Sequence, residues 1–159
     1  MDGLIIDAGC GPGQWTNFLK DCGASVEGID LVQEFVHQAK ERFPDVAFRV
    51  GSLDALGAAD ESISGILAWY SIIHLAPAET ASAFKEFARC VRPGGGLLLG
   101  FFDGPAIEMF PHVVAPAYLW PVDELSLVIA AAGFEVLESH RRVDGAHRPH
   151  AAIVARRIG

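Results

Sequence analysis

The sequence predicts an α/β fold, a largely parallel sheet covered by helices, and two observations carry that prediction. Apolar runs of roughly four to eight residues alternate with longer segments of helical period, as in strand–helix–strand repeats. The chain also has the size and composition of one domain: 159 residues, 17.0 kDa, 51% hydrophobic and 20% charged. Disorder and coiled coil do not fit that composition.

The elements follow in order. Strands are expected at Leu4–Ala8, Ser25–Asp30, Ala47–Val50, Ser64–Trp69 and Gly95–Phe102, with helices at Gln14–Cys22, Gln33–Phe43 and Ala78–Val91. In the last helix Ala81, Phe84, Phe87, Ala88 and Val91 recur at three- and four-residue spacing, a stripe turned toward the sheet. Pro93-Gly94-Gly95 stops it and turns the chain into the fifth strand. Residues 103–121 carry Pro105, Pro111, Pro116 and Pro121 among Phe110, His112, Tyr118 and Trp120. This segment is expected to be a mobile functional loop that closes over a ligand. A helix at Val122–Ala132 follows, with Asp123 and Glu124 suited to its positive N-terminus, and Gly133 ends it. Phe134–His140 and Ala151–Arg157 then form an antiparallel hairpin around Asp144-Gly145. Residues 1–159 are expected to make a single domain.

Charge is uneven. Up to His140 the chain holds 7 Lys/Arg against 19 Asp/Glu, a net −12; from Arg141 onward 5 Arg face Asp144 alone, a net +4. The acidic body repels a phosphate backbone, which argues against nucleic acid as a partner. The basic tail blunts the edge of a hairpin, with docking of an anionic partner as the alternative. The longest nearly unbroken apolar stretch, Leu97 to Phe102, falls well short of the ~18 residues of a membrane helix. Met1-Asp2-Gly3 lacks a basic signal-like start, and Cys10, Cys22 and Cys90 form no CxxC pair, so a cytoplasmic setting without membrane contact is expected.

The main functional signal is Asp7-Ala8-Gly9-Cys10-Gly11-Pro12-Gly13 between an apolar strand and a helix. Glycines there let a ligand approach the backbone closely. Asp30 ends the next strand, 21 residues after Gly9, where a carboxylate accepts both hydroxyls of an adenosine ribose. A dinucleotide fingerprint needs glycine at position 14, which is Gln14, and a pyrophosphate at this loop faces the like charge of Asp7. A nucleoside bearing a sulfonium and an amino group fits the carboxylate better.

With these residues the chain resembles the class I S-adenosylmethionine-dependent methyltransferases. The loop at 7–13 is similar to their first motif, Gly28-Ile29-Asp30 to their second-strand acid, and Arg92-Pro93-Gly94-Gly95 to their turn before strand five. Ala68-Trp69-Tyr70-Ser71-Ile72-Ile73-His74-Leu75 resembles the segment after strand four in the small-molecule, quinone-biosynthesis-like branch. The resemblance implies a doubly wound, Rossmann-like α/β/α fold of seven strands in the order 3-2-1-4-5-7-6, strand 7 antiparallel. It implies S-adenosylmethionine as cofactor, S-adenosylhomocysteine as product, and methyl transfer to a small-molecule acceptor by direct in-line displacement. Gly9, Gly11 and Gln14 would flank the methionine moiety and Asp30 the ribose. Leu31 would pack on the adenine, Ser52 and Leu53 would meet its polar edge, and Ala68 would offer a carbonyl to the amino group. Asp7, Cys10 and Trp69 complete the expected cofactor set, and Tyr70, Phe102, Tyr118 and Trp120 the acceptor pocket. Gly51-Ser52 stands where relatives often have Asp, with Asp54 displaced by two, which moves adenine recognition to the Ser52 hydroxyl and a backbone amide. Ser64-Gly65 likewise replaces an Asp of the fourth strand, which removes a structural hydrogen bond and leaves the cofactor site unaffected. Helices that relatives place ahead of strand one are not seen before residue 4, so truncation or a homodimer partner is expected to account for the cover.

The remaining candidates have two readings each. His74 is either a backbone-bonded histidine at a helix start or the group that takes a proton from an acceptor. Asp103 is either a second such base or a loop cap. Among the six histidines, His140, His147 and His150 are spaced closely, but no carboxylate or cysteine completes a set, so no metal is expected. Cys10 has no neighbouring base in sequence and is not read as a nucleophile. Two rival functions remain: a nicotinamide-dependent oxidoreductase, and a methyltransferase-like binding protein without turnover.

Overall fold

A computed structural model describes residues 2–159; Met1, the first residue of the N-terminal stretch considered above, lies outside them. The elements run β1 (Leu4–Ala8), α1 (Gln14–Asp21), β2 (Ser25–Asp30), α2 (Gln33–Arg42), β3 (Ala47–Val50), β4 (Ile63–Trp69), a 3-10 turn (Ile72–His74) and α3 (Pro77–Cys90). They continue with β5 (Val91–Phe102), β6 (Glu108–Phe110), β7 (Ala117–Leu119), α4 (Val122–Ala131), β8 (Phe134–Arg142) and β9 (His150–Arg157). The seven-stranded sheet has the order β3-β2-β1-β4-β5-β9-β8. β1 to β5 are parallel, and β9 is antiparallel to both neighbours, so it takes the place expected for strand seven.

Local chemistry explains the boundaries. α3 starts because Pro77 presets its first turn and the Ala76 amide donates to the Glu79 carboxylate at 2.8 Å. Its apolar stripe buries Phe84 and Phe87 completely, and cutting either back to Ala would cost about 3–5 kcal/mol. With Leu125 and Ile129 of α4 they join the main core beneath Leu97, Leu99 and Ile153 of the sheet. A smaller cluster of Cys10, Val36, Ala39, Val46 and Phe48 ties α2 to the glycine loop. Ser64 donates its hydroxyl to the Leu4 carbonyl at 3.0 Å and so ties β4 to β1.

Two expectations are corrected. α3 passes straight into β5, and the Pro-Gly-Gly stretch shifts the β4–β5 register between Ile63 and Gly65 instead of preceding the strand. Residues 103–121 are no open loop either. β6 and β7 pair antiparallel, the Trp120 amide donates to Phe102 at 3.0 Å, and Asp103 bridges to Trp120. The aromatic content of this stretch signals core contact: Phe110, Ala117 and Trp120 are buried in it.

Candidate cofactor and acceptor site

The parallel strands bring the carboxyl ends of β1, β2, β4 and β5 to one edge of the sheet, where open α/β sheets bind ligands. The loop after β1 is held from below: the amides of Gly9 and Cys10 both donate to the Ile29 carbonyl, at 2.7 and 2.9 Å. Gly9 has φ +82°, and a Cβ there would lie 2.1 Å from the Ser71 Cβ, so only glycine fits. Gly11 has φ +52° but opens onto free space. Asp30 receives the Gly11 amide at 2.8 Å on one oxygen and the Val32 amide at 2.9 Å on the other. Each oxygen keeps a lone pair for a further donor.

Asp7, 2% exposed, accepts the Thr16 hydroxyl at 2.6 Å. Burial pushes its pKa up to about 6; the Thr16 hydrogen bond opposes the shift and the Asp30 charge adds to it. Burial likewise pushes the Cys10 thiol far up, helped by Asp7 and Asp30, so it stays protonated and is no nucleophile.

Three cavities meet at Tyr70. One of about 710 Å³ runs from Asp30, Leu31 and Leu53 past Ser71 to His74 and Phe102. A cleft of about 350 Å³ lies over Asp7, Cys10 and Gln14 beneath Trp15 and Trp69. The third, about 500 Å³, lies between Trp69, Tyr70 and the tip of the β8–β9 hairpin. Tyr70 adopts φ +57°, uncommon for a bulky residue, and its amide donates to Gly100 at 2.9 Å. That conformation points its hydroxyl to His150 Nδ1, 2.6 Å away. Burial raises the Tyr70 pKa while the Arg142 charge opposes it. Trp69 lies over Gly100, and Trp69, Tyr70 and Phe102 stand edge to face in a row.

The expected residues separate clearly. Asp7, Gly9, Cys10, Gly11, Gln14, Asp30, Leu31, Ser52, Leu53 and Trp69 all line the first two cavities. The Ser52 hydroxyl donates to Asp54. Ala68 is fully buried in β4 opposite Leu99. Tyr70, Phe102 and His74 border the large cavity. Trp120, expected in the acceptor pocket, is instead a core residue, and Tyr118 stands in the β6–β7 hairpin opposite Met109. Asp103 lies 3.4 Å from Arg141 at the rim, and its amide donates to Pro149. The sequence reading passed over Ser71, His112 and His150. Ser71 was hidden within an aromatic motif, and His112 and His150 reach the site through long-range pairing. His74 Nδ1 lies 3.1 Å from the Pro116 carbonyl, which only accepts, so Nδ1 carries the proton and Nε2 keeps its lone pair. His112, 5.3 Å away, is held below the usual histidine pKa by burial, and by any charge on His74.

The methyltransferase domain family matches residues 5–95, more than half of the chain and the whole of the glycine-loop half of the sheet. The chain belongs to that family. The domain is 32% identical to a malonyl-[acyl-carrier protein] O-methyltransferase of Pseudescherichia vulneris, over 58% of this chain and 36% of that protein. It is 31% identical to the demethylmenaquinone methyltransferase of Beutenbergia cavernae, over 64% of this chain and 41% of that one. The chain thus spans well under half of the length of these curated relatives. In fold it is similar to an S-adenosylmethionine-dependent methyltransferase from Methanosarcina mazei, with a TM-score of 0.88, 19% identity, and coverage of 99% of this chain and 93% of that one.

The residues present fit the family's cofactor, S-adenosylmethionine. The Ser71 hydroxyl is buried beside the cavity with no partner, Gly11 leaves open the space a side chain would fill, and carboxylates stand at both ends. Asp7 suits a cation and Asp30 a ribose diol. Among the described residues no helix is long and apolar enough to cross a membrane.

Proposed function

We propose that this methyltransferase domain transfers a methyl group from S-adenosylmethionine to a small-molecule acceptor. The observation that carries it is the placement of two carboxylates, Asp7 and Asp30, at the two ends of one glycine-lined surface. A nicotinamide dinucleotide would bring its pyrophosphate against Asp7, an unfavourable like-charge contact. The names of the curated relatives, a malonyl-[acyl-carrier protein] O-methyltransferase and a demethylmenaquinone methyltransferase, support an acceptor that is not a nucleic acid.

When bound, the cofactor supplies a methyl carbon on a sulfonium, open to in-line attack by the acceptor. The chain positions and desolvates. Asp30 holds the ribose while keeping Gly11 and Val32 in place, Leu31 and Leu53 flank the adenine, and the Ser71 hydroxyl takes a polar group, whereas Ala68 lines none of the three cavities. Trp69 and Tyr70 exclude water from the reacting end. An acceptor that arrives protonated gives its proton to His74 Nε2, the lone pair left free by the Pro116 contact. Asp103, engaged by Arg141, steadies the rim instead of acting as a base. Three free thiols are consistent with a reducing cytoplasm as the place of work.

Calorimetry with S-adenosylhomocysteine and NAD tests the reading. We expect the former to bind and the latter not to. Asp30→Ala should weaken S-adenosylhomocysteine roughly 10- to 150-fold, since even one hydrogen bond to a charged group is worth about 1.5–3 kcal/mol. Tighter binding of NAD, or an unchanged affinity in Asp30→Ala, would overturn it.

A further inference from the structure

The third cavity is walled by the one basic stretch of an acidic chain. His140, Arg141, Arg142 and His147 line it from the hairpin side together with the single carboxylate Asp144, and Trp69 and Tyr70, which also border the cofactor cleft, line it from the other. The pairing register fixes this. Phe102 lies opposite His150 and Arg142 opposite His150 in turn, so Arg142 shares a face with the pair that meets Tyr70.

The Arg142 guanidinium makes no hydrogen bond to a fixed partner. Five of the nine arginines, Arg49, Arg89, Arg92, Arg156 and Arg157, donate hydrogen bonds to fixed partners. Arg142 does not: its nearest carboxylate, Asp144, lies at 3.8 Å, beyond hydrogen-bond range, whereas Arg141 is paired with Asp103 at 3.4 Å. Asp144 is occupied by its own turn, accepting the His147 amide at 3.0 Å and sitting 2.8 Å from His147 Nδ1. His140 faces Glu138 at 2.8 Å on the exposed side. Arg142 is 82% exposed at its side chain and free to swing. The planar Arg142 fork, on the same face as His140 and His150 by strand alternation, can match a carboxylate or phosphate bidentately. The Arg142 charge also reaches Tyr70, at the junction with the cofactor surface.

We propose that this cavity binds an anionic group of the acceptor, so that the substrate class is a small, aromatic-compatible molecule bearing a carboxylate or a like oxyanion. The proposal rests on the methyl-transfer reading for what the bound molecule is used for, but the preference for an anion belongs to this wall alone. Arg142 holds the anion with the positive charge of Arg141 nearby, Trp69 and Tyr70 give the flat wall, and the acceptor's reacting atom faces the cleft over Gly9 and Gly11.

Benzoate and its neutral near-isostere benzamide provide the test, titrated at fixed ionic strength with and without S-adenosylhomocysteine while the histidine side-chain NMR signals are followed. Benzoate should bind at least about tenfold more tightly than benzamide and shift His147 and His150. The preference should vanish in Arg141→Gln/Arg142→Gln. Arg142→Gln alone, at an exposed side chain, should reduce it several-fold and serves if the double variant fails to fold. Equal affinities, no measurable binding of either compound, or a preference that survives the folded variants would overturn the proposal. Failure of S-adenosylhomocysteine to bind would strike the methyl-transfer reading instead, and the ligand-free titration would still decide the cavity's preference.

Discussion

The two sides of the site are built from different materials. The cofactor side is made of backbone: Gly9, Cys10 and Gly11 with Asp30 form one hydrogen-bonded unit within two consecutive strand–loop segments. The side proposed for the acceptor is made of side chains brought from afar: Tyr70 meets His150 across 80 positions of sequence, and His74 meets Pro116 across 42. A backbone site constrains which residue types are possible at each position. A side-chain site constrains only which residues happen to meet.

The sharpest break of this contrast is at the glycines. At Gly9 the added Cβ collides with a Cβ, not with a flexible tip, so the β1 loop and the segment after β4 must separate. Gly9→Ala should lower thermal stability and reduce S-adenosylhomocysteine affinity by at least about 100-fold, some 2.7 kcal/mol. Gly11→Ala adds a methyl to open space and pays only left-handed backbone strain, about 1–2 kcal/mol. It should keep the fold and lose affinity because the methyl stands in the cavity. Thermal melts with calorimetry separate the two. Equal melting temperatures for both variants would show that the loop is not braced by Ser71.

Next in size is the pH response of Asp7. Its folded pKa of about 6 lies above the ordinary 3.8, so the ligand-free fold binds the proton more tightly than the unfolded chain. The stability this gives is complete below about pH 3.8 and is lost as pH rises through about 6. Asp7→Asn should therefore be more stable than the parent at pH 7 without ligand, by up to about 3 kcal/mol at 1.36 kcal/mol per pH unit. A bound cation needs the ionised carboxylate. S-adenosylmethionine affinity should thus fall about tenfold per pH unit below 6 in the parent, and stay flat and weak in Asp7→Asn. Calorimetry across pH 5–8 checks both. An affinity that does not change across pH 5–7 in the parent would separate Asp7 from the cation.

The same contrast explains what was legible in the sequence. Nearly every element followed from apolar periodicity, and Asp7, Gly9, Gly11 and Asp30 from spacing, because local rules govern both; the strand order followed from the family resemblance. Helix ends shifted by a residue or so where fraying decides them, as at Cys22 and Phe43. His150 and Arg142 could not be placed, since the sequence tells that a hairpin exists but not which hairpin residue faces Tyr70. Residues 103–121 misled for a third reason. Four prolines read as a loop, yet three-residue strands fit between them, and the aromatics anchor the segment to the core. Meanwhile Trp15 and Phe18 of α1, at 43% and 53% exposure, leave an apolar surface beside the cofactor cleft.

The smallest expected effect lies at Trp120, and it asks whether the segment at 103–121 belongs to the core or to the acceptor wall. The side chain is 1% exposed and its indole N–H is buried without an acceptor. Cutting it to Ala would open a large cavity at a cost of about 3–5 kcal/mol. Trp120→Phe keeps most of the apolar volume and removes the unpaired donor, whose burial is a penalty of about 1–3 kcal/mol. The loss of contact and the relief of that penalty oppose each other, so the net change in stability should be within about 1 kcal/mol. S-adenosylhomocysteine affinity and the benzoate preference should not move at all. Hydrogen exchange should likewise show Phe110, Ala117 and Trp120 equally protected with and without ligand, since their amides belong to a paired hairpin and a strand contact. A variant that melts as the parent does but binds benzoate differently would return Trp120 to the acceptor wall, and ligand-dependent protection of this stretch would restore the closing loop.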